Sequence, residues 1–203
     1  MTEIKTTDEI ILEAARKVFA RKGLEGARMQ EIADEAGINK ALLHYYYRSK
    51  EKMFELVFHE VLTQLFSDLT IMLTSRMPFI KKIEGFVDNY MDFLAAHPYL
   101  PGFIVTEIHR NPDSIISFMK SRNIPIHLVE KELKKEIKKG NVRNIDHRHL
   151  IVNLIALCVF PFIARPMLQG IFFKGEEEAF NGFLAERKEV LKDLIKQSLF
   201  LKI

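Results

Sequence analysis

The sequence predicts an all-α fold, and three observations carry that reading. Apolar residues recur at three- and four-residue steps through most of the chain, the period of a helix face. Glycine is scarce, nine in 203 residues, and no Asn-Gly dipeptide sits between alternating apolar residues as a hairpin would require. Gly, Asn and Pro fall where the periodicity breaks, so they read as helix punctuation. The chain can hold one large or two small domains, and a 48% hydrophobic content fills a real core. We expect about nine helices, with residues 1–48 forming a three-helix N-terminal domain and residues 49–203 a larger helical regulatory and dimerisation domain.

The first helix is expected from Thr6, where Thr6 and Glu9 have the spacing of a capping box. Ile11, Ala14, Ala15, Val18 and Phe19 form its buried stripe, and Gly23 closes it. Arg16, Lys17, Arg21 and Lys22 read as a solvated face rather than as a nucleic-acid contact. Leu24 to Arg28 is a connector.

A second helix follows over Met29–Ala36, its inner face built from Met29, Ile32, Ala33 and Ala36. Gly37 ends it, because glycine takes the left-handed conformation without steric cost. Asn39 can cap a third helix by accepting from a free backbone amide. That helix, about Lys40–Tyr47, turns Leu43 and Tyr47 inward and leaves Lys40, Ala41, Leu42, His44, Tyr45 and Tyr46 outside. The outer face has no acid. From Ala36 to Lys52 the bases Lys40, Arg48, Lys50 and Lys52 face one acid, Glu51, so this short piece matches the net charge of +3 on the whole chain. A basic patch carrying tyrosine hydroxyls suits the phosphates of duplex DNA, and helix, tight turn and helix is the form of a helix-turn-helix reader.

Residues 10–57, IILEAARKVFARKGLEGARMQEIADEAGINKALLHYYYRSKEKMFELV, resemble the N-terminal domain of the TetR family of bacterial regulators. The matching pieces are Phe-Ala-x-Lys-Gly, Ile-Ala-x-x-Ala-Gly, the Leu-x-Tyr-x-Tyr of the third helix, and Ser-Lys-Glu. The resemblance covers the first quarter of the chain. It implies a homodimer on a pseudo-palindromic double-stranded DNA operator. It places Lys40 and Ala41 first into the major groove, with His44, Tyr45 and Tyr46 at backbone or base edges and Lys50 on a phosphate after a Ser49 cap. Leu42 can meet a thymine methyl and Lys40 a guanine edge. Gln30, in the first turn of the second helix, belongs to the same set. Two departures stand out. Arg28 occupies the place where the family has a capping Ser or Thr, so a cap is lost while a guanidinium remains to reach DNA. His44 and Tyr46 exchange the residue types of the family's Leu-Tyr-Tyr-His-Phe pattern, and Tyr47 replaces its core phenylalanine.

Beyond residue 49 the periodicity predicts a long helix over Lys50–Arg76, another from Pro78 to His97, a short one over about Leu100–His109, and one over Asp113–Arg122. Ile126–Lys139 follows, its lysines 131, 134, 135, 138 and 139 read as a solvated face. Leu150–Ala164 is nearly all apolar yet too short for a membrane span, and Pro161, Arg165 and Pro166 interrupt its continuation. A helix apolar all round is buried on all sides. We therefore expect it and the last helix, Gly175–Leu201, to pair with their copies as a four-helix bundle, with Leu154, Cys158, Phe183, Leu191 and Leu194 at the interface.

Phe86, Tyr90, Phe93, Phe103, Phe118, Met119, Phe160 and Phe162 are candidates to line a pocket for an apolar or aromatic small-molecule effector. Asp146, His147 and His149 are close in sequence, but positions i and i+2 on a helix do not face each other, so no metal site is expected. Glu107 and His109 read as a polar pair. There is no phosphate loop, Gly-x-Ser-x-Gly elbow, His-Glu-x-x-His or dinucleotide fingerprint, so neither an enzyme nor a cofactor is expected. One cysteine excludes an internal disulfide framework, and the polar N-terminus lacks a signal region, which points to the cytoplasm and away from a membrane. The function expected is a DNA-binding transcriptional regulator, a repressor released by ligand. The alternative is an architectural or division-control protein of the same fold without a ligand.

Overall fold

Eleven helices form the regular structure of the computed structural model, which describes residues 6–98, 100–110 and 112–201. They are α1 (Thr7–Gly26), α2 (Met29–Ala36), α3 (Lys40–Tyr46), α4 (Lys50–Thr74), α5 (Phe79–Ala96), α6 (Leu100–Arg110), α7 (Pro112–Ser121), α8 (Ile126–Lys138), α9 (His147–Ile163), α10 (Arg165–Phe172) and α11 (Glu177–Leu199). Among the described residues no strand forms, and one isolated antiparallel bridge joins Val142 to Phe200. The all-helical class is as expected, while the count exceeds the nine helices anticipated. One element not foreseen is α10. Its Pro166 lies in the first turn, where a missing amide costs nothing, and α9 continues through Pro161 before the chain turns by 68° into α10.

The chain divides into two compact units, Met1–Gln64 with His97–Pro112, and Leu65–Ala96 with Asp113–Ile203. In the first unit, Thr6 caps α1 as the sequence predicts: its hydroxyl accepts from the Glu9 amide, and the Glu9 carboxylate accepts from the Thr6 amide at 2.8 Å. Gly23 (φ 65°) breaks the α1 backbone where the helix was expected to close, and one further helical turn runs on to Gly26. Ile11, Ala15, Phe19, Ile32, Ala33, Leu43, Met53 and Val57 are fully enclosed. Phe54 adds edge contacts to Phe19, with ring centroids 4.8 Å apart.

Among the described residues, α4 is the one single helix long and apolar enough to cross a membrane, and α9 with α10 passes only if taken together as one bent span. The apolar residues Met53, Phe54, Val57, Phe58, Val61 and Leu62 of α4 are instead buried within the fold.

The second unit is built around α5, α8, α9 and α11. Val87, Met91 and Leu94 of α5, Leu133 of α8, Leu150, Leu154 and Cys158 of α9, and Leu184, Leu191 and Ile195 of α11 form one core. A ladder of charges outside that core fixes the antiparallel register of α5 and α11. Glu84 meets Lys196 at 2.7 Å, Asp88 meets Lys192 at 3.0 Å, and Asp92 meets Lys188, each step four residues along both helices.

Candidate nucleic-acid interface

The turn between α2 and α3 is held from both sides. Gly37 adopts φ 68° and ψ 28°, and its amide donates back to the carbonyls of Ala33 and Asp34. The Ile38 amide donates to Ala33 at 3.0 Å, which completes the closing motif of α2. Two residues later the Asn39 side chain accepts from the Leu42 amide at 2.8 Å and starts α3. Arg28 provides no side-chain cap for α2, yet the Glu31 carboxylate accepts from the Arg28 amide at 3.3 Å, so half of the capping arrangement persists.

Packing decides which residues of α3 point outward. Leu43 and Tyr47 are buried, and the Tyr47 hydroxyl donates to the Asp8 carboxylate at 2.5 Å. Lys40, Ala41, Leu42, His44, Tyr45 and Tyr46 are all exposed, Tyr45 by 82%. The Tyr45 and Tyr46 rings meet edge to face, 5.5 Å between centroids, so each restricts the other's swing. Arg28 and Gln30 are exposed and Lys50 is half-buried, with the Gln30 amide donating to Asp34 at 2.8 Å. Ser49 caps α4 by accepting from Lys52 at 3.2 Å. Arg48 and Lys52 add exposed positive charge beside Lys50. Sequence reasoning counted these two in the local charge without placing them in the site.

Several bases of α1 are already engaged by acids. Arg16 pairs with Glu60 at 2.6 Å, Arg21 with Glu35 at 2.7 Å, and Lys22 with Glu31 at 2.7 Å. The hydrogen bond from Lys22 holds the Glu31 carboxyl below its ordinary range, and the one from Arg21 does the same for Glu35. These pairs join α1 to α2 and α4, and they leave α3 without a competing carboxylate of its own.

In the second unit an apolar cavity of about 190 Å³ opens between α4, α5, α8 and α9. Of the pocket candidates, Phe86 and Met119 line it. The other six lie elsewhere. Phe103 packs in the first unit against Phe54 and Phe58, at 4.3 and 4.5 Å between centroids. Phe118 is buried beside Phe66, 5.9 Å away. Tyr90 and Phe93 pack against the core, Phe162 lies within it, and Phe160 is exposed. Aromatic identity alone does not say which side of a helix meets a void.

The expected interface residues also divide. Cys158 and Leu191 are enclosed in the unit's own core, and Leu154 lines the cavity, so these three face inward. Burial pushes the Cys158 thiol up to about 12, which leaves it inert. Phe183 is half-buried against Phe173, 5.3 Å between rings. Leu194 is exposed, together with Val190 on α11 and Val152, Ile155, Phe160 and Ile163 on α9. On α9 the exposed apolar surface lies away from Leu154 and Cys158, whereas on α11 it includes Leu194.

Asp146 caps α9 through the Arg148 amide at 2.8 Å and also accepts twice from the Arg148 guanidinium.

A glycine-ended helix, an asparagine-capped second helix with a buried leucine, and an acid-free outward face define a helix-turn-helix domain. Residues 11–57 match the bacterial regulatory proteins of the tetR family. The N-terminal domain, residues 11–57, is thus of the TetR family type.

The HTH-type transcriptional repressor SCO4008 of Streptomyces coelicolor is 40% identical over 96 residues, 47% of this chain and 46% of that protein. The chain thus spans about half the length of this relative. The nucleoid occlusion factor SlmA of Haemophilus influenzae is 20% identical over 158 residues, 76% of this chain and 72% of that protein. Among solved structures, FadR of Bacillus subtilis in complex with stearoyl-CoA superposes with a TM-score of 0.58 at 17% identity, covering 90% of this chain and 96% of that one. That likeness establishes the fold.

Proposed function

We propose that the protein is a sequence-specific DNA-binding transcriptional regulator, a cytoplasmic repressor acting as a homodimer on a pseudo-palindromic operator. The observation that carries this reading is the α3 surface. A rigidly capped helix presents Lys40, Tyr45 and Tyr46 to solvent with no acid on its face. Phosphate contacts from Arg28, Lys50 and the tyrosine hydroxyls set the register, while Lys40, Ala41, Leu42 and His44 read base edges. The test is binding to the DNA upstream of the protein's own gene at fixed salt, for wild type and for Tyr46→Ala and Lys50→Ala. Tight, sequence-selective binding that both substitutions weaken supports the reading. Binding indifferent to sequence there and among genome-wide selected fragments rejects it.

The homodimer forms through the exposed apolar stripe of α9 and α11, which two copies bury as a four-helix bundle. Two reader helices then address successive major grooves, roughly 34 Å apart or a small multiple of that. An apolar small molecule in the cavity releases DNA if it binds the released geometry more tightly than the DNA-bound one, since equal affinity shifts nothing. The stearoyl-CoA complex of the FadR structure supports an apolar effector.

The similarity to the nucleoid occlusion factor SlmA, over three quarters of the chain, supports a second reading as a DNA-binding architectural or division-control protein with no effector. The number of occupied genomic sites separates the two. One or a few operators identify a local regulator, and many dispersed sites identify the alternative.

A further inference from the structure

We propose that the cavity of the second unit takes a small acid, a monocarboxylate with an apolar body the size of a substituted benzene, and that Lys82 is its anchor. This rests on the effector reading of the same cavity and adds the chemical class. Size comes first. The cavity, at about 190 Å³, is somewhat larger than an engineered 150 Å³ void that holds benzene, so it accommodates about ten non-hydrogen atoms. Its walls are apolar: Phe66 and Met72 of α4, Ile83 and Phe86 of α5, Leu154 and Ile155 of α9. Among the described residues lining it, the polar side chains are Lys82 and Glu132.

These two form an ion pair of unequal partners. Lys82 Nζ donates to the Glu132 carboxylate at 2.6 Å and to the Leu73 carbonyl at 2.7 Å. An ammonium has three donors, so one more acceptor can be taken. The Lys82 side chain is 3% exposed, and that of Glu132 is 32% exposed. The cation is therefore the fixed member, enclosed and tied to backbone, and the carboxylate is the one that can leave for water.

That asymmetry selects the sign of the ligand. An incoming carboxylate replaces Glu132 on a desolvated cation, where attraction is strong. An incoming amine would have to displace Lys82 from an enclosed position or face it as a like charge. A neutral hydrocarbon fits the walls and gains nothing from the pair. Glu132 also has somewhere to go. It borders a surface groove lined by Lys135 of α8 and by Lys139 just beyond its end, and Lys135 lies three residues along the same helix. Ligand binding would thus exchange the tie between α5 and α8 for a local pair on α8.

The experiment is titration calorimetry of the full chain at pH 7 with para-ethylbenzoate, para-ethyltoluene and para-ethylbenzylamine. Wild type is expected to bind the acid at least tenfold more tightly than the hydrocarbon and to reject the amine. Lys82→Met is expected to remove the acid's advantage while keeping hydrocarbon binding, which reports that the cavity is still formed. Glu132→Gln is expected to strengthen acid binding several-fold by weakening the internal competitor. Equal affinity for acid and hydrocarbon in wild type, or an acid advantage that survives Lys82→Met, overturns the anchor and leaves the apolar effector standing. Failure of all three compounds to bind overturns the cavity reading together with the anchor.

Discussion

The Tyr47 hydroxyl donates to the Asp8 carboxylate at 2.5 Å, joining the C-terminal end of the reader helix to the first turn of α1. The ring itself is buried, so the bond fixes how α3 leaves the three-helix core. Tyr47→Phe keeps the ring and removes the bond, and Asp8 remains solvated. We expect a loss of about 1 kcal/mol in chemical denaturation. Burial and then the Asp8 carboxylate raise the Tyr47 pKa above its ordinary 10.0. A raised phenol pKa means that the unfolded chain loses its proton first. This contribution is therefore complete below pH 10 and falls as pH rises from 10 toward the folded value. The alkaline decline in stability should be shallower in Tyr47→Phe than in wild type. Parallel curves would mean that the bond is not formed in solution.

Much of this N-terminal unit was legible because its signals are local. Thr6 with Glu9, Gly37 and Asn39 each act within four residues, and the structure uses them as their chemistry dictates. The Asp8 partner of Tyr47 was not legible, since 39 residues separate them. In the second unit the helices were legible and their rotations were not. A helix apolar on every side, as α9 is, carries no periodic cue to separate Leu154 and Cys158, which face inward, from Val152 and Phe160, which do not. Phe103 was misplaced for a related reason: a ring's apolarity says that it is buried, not beside which partner.

Lys50 offers a separable electrostatic test. It stands at the first turn of α4, behind the Ser49 cap, beside exposed Arg48 and Lys52. If it neutralises one phosphate, Lys50→Ala should weaken binding to all DNA sequences alike. The slope of log affinity against log salt should become shallower by about 0.9. Tyr46→Ala should instead reduce the ratio of operator to non-specific affinity. An unchanged salt slope in Lys50→Ala would remove this residue from the interface.

Glu84 contributes to the acid sensitivity of the second unit. Hydrogen bonds from Lys196 and then Lys81 hold its carboxyl below the ordinary 4.5, against the opposing effect of burial. A depressed pKa contributes stability that is present above pH 4.5 and is lost as pH falls through the folded value. Glu84→Gln should lower stability at pH 7 and flatten the loss below pH 4.5, read from denaturation midpoints across the acid range. Retention of the full acid transition in Glu84→Gln would place the responsible carboxylates elsewhere.

Adjacent residues on α11 separate folding from assembly. Leu191 is 1% exposed and packs in the core with Leu184 and Ile195, whereas Leu194 is 48% exposed beside Val190. Leu191→Ala removes buried methyl groups and leaves a void, so it should cost about 3 kcal/mol of stability in any oligomeric state. Leu194→Asp leaves the core intact and places a carboxylate on the stripe that two copies would bury, where an unpaired charge is costly. It should give a folded, helical monomer by sedimentation, with operator affinity reduced at least tenfold because the two reader helices are no longer joined. A dimer that persists in both Leu194→Asp and Val152→Asp would show that assembly uses another face.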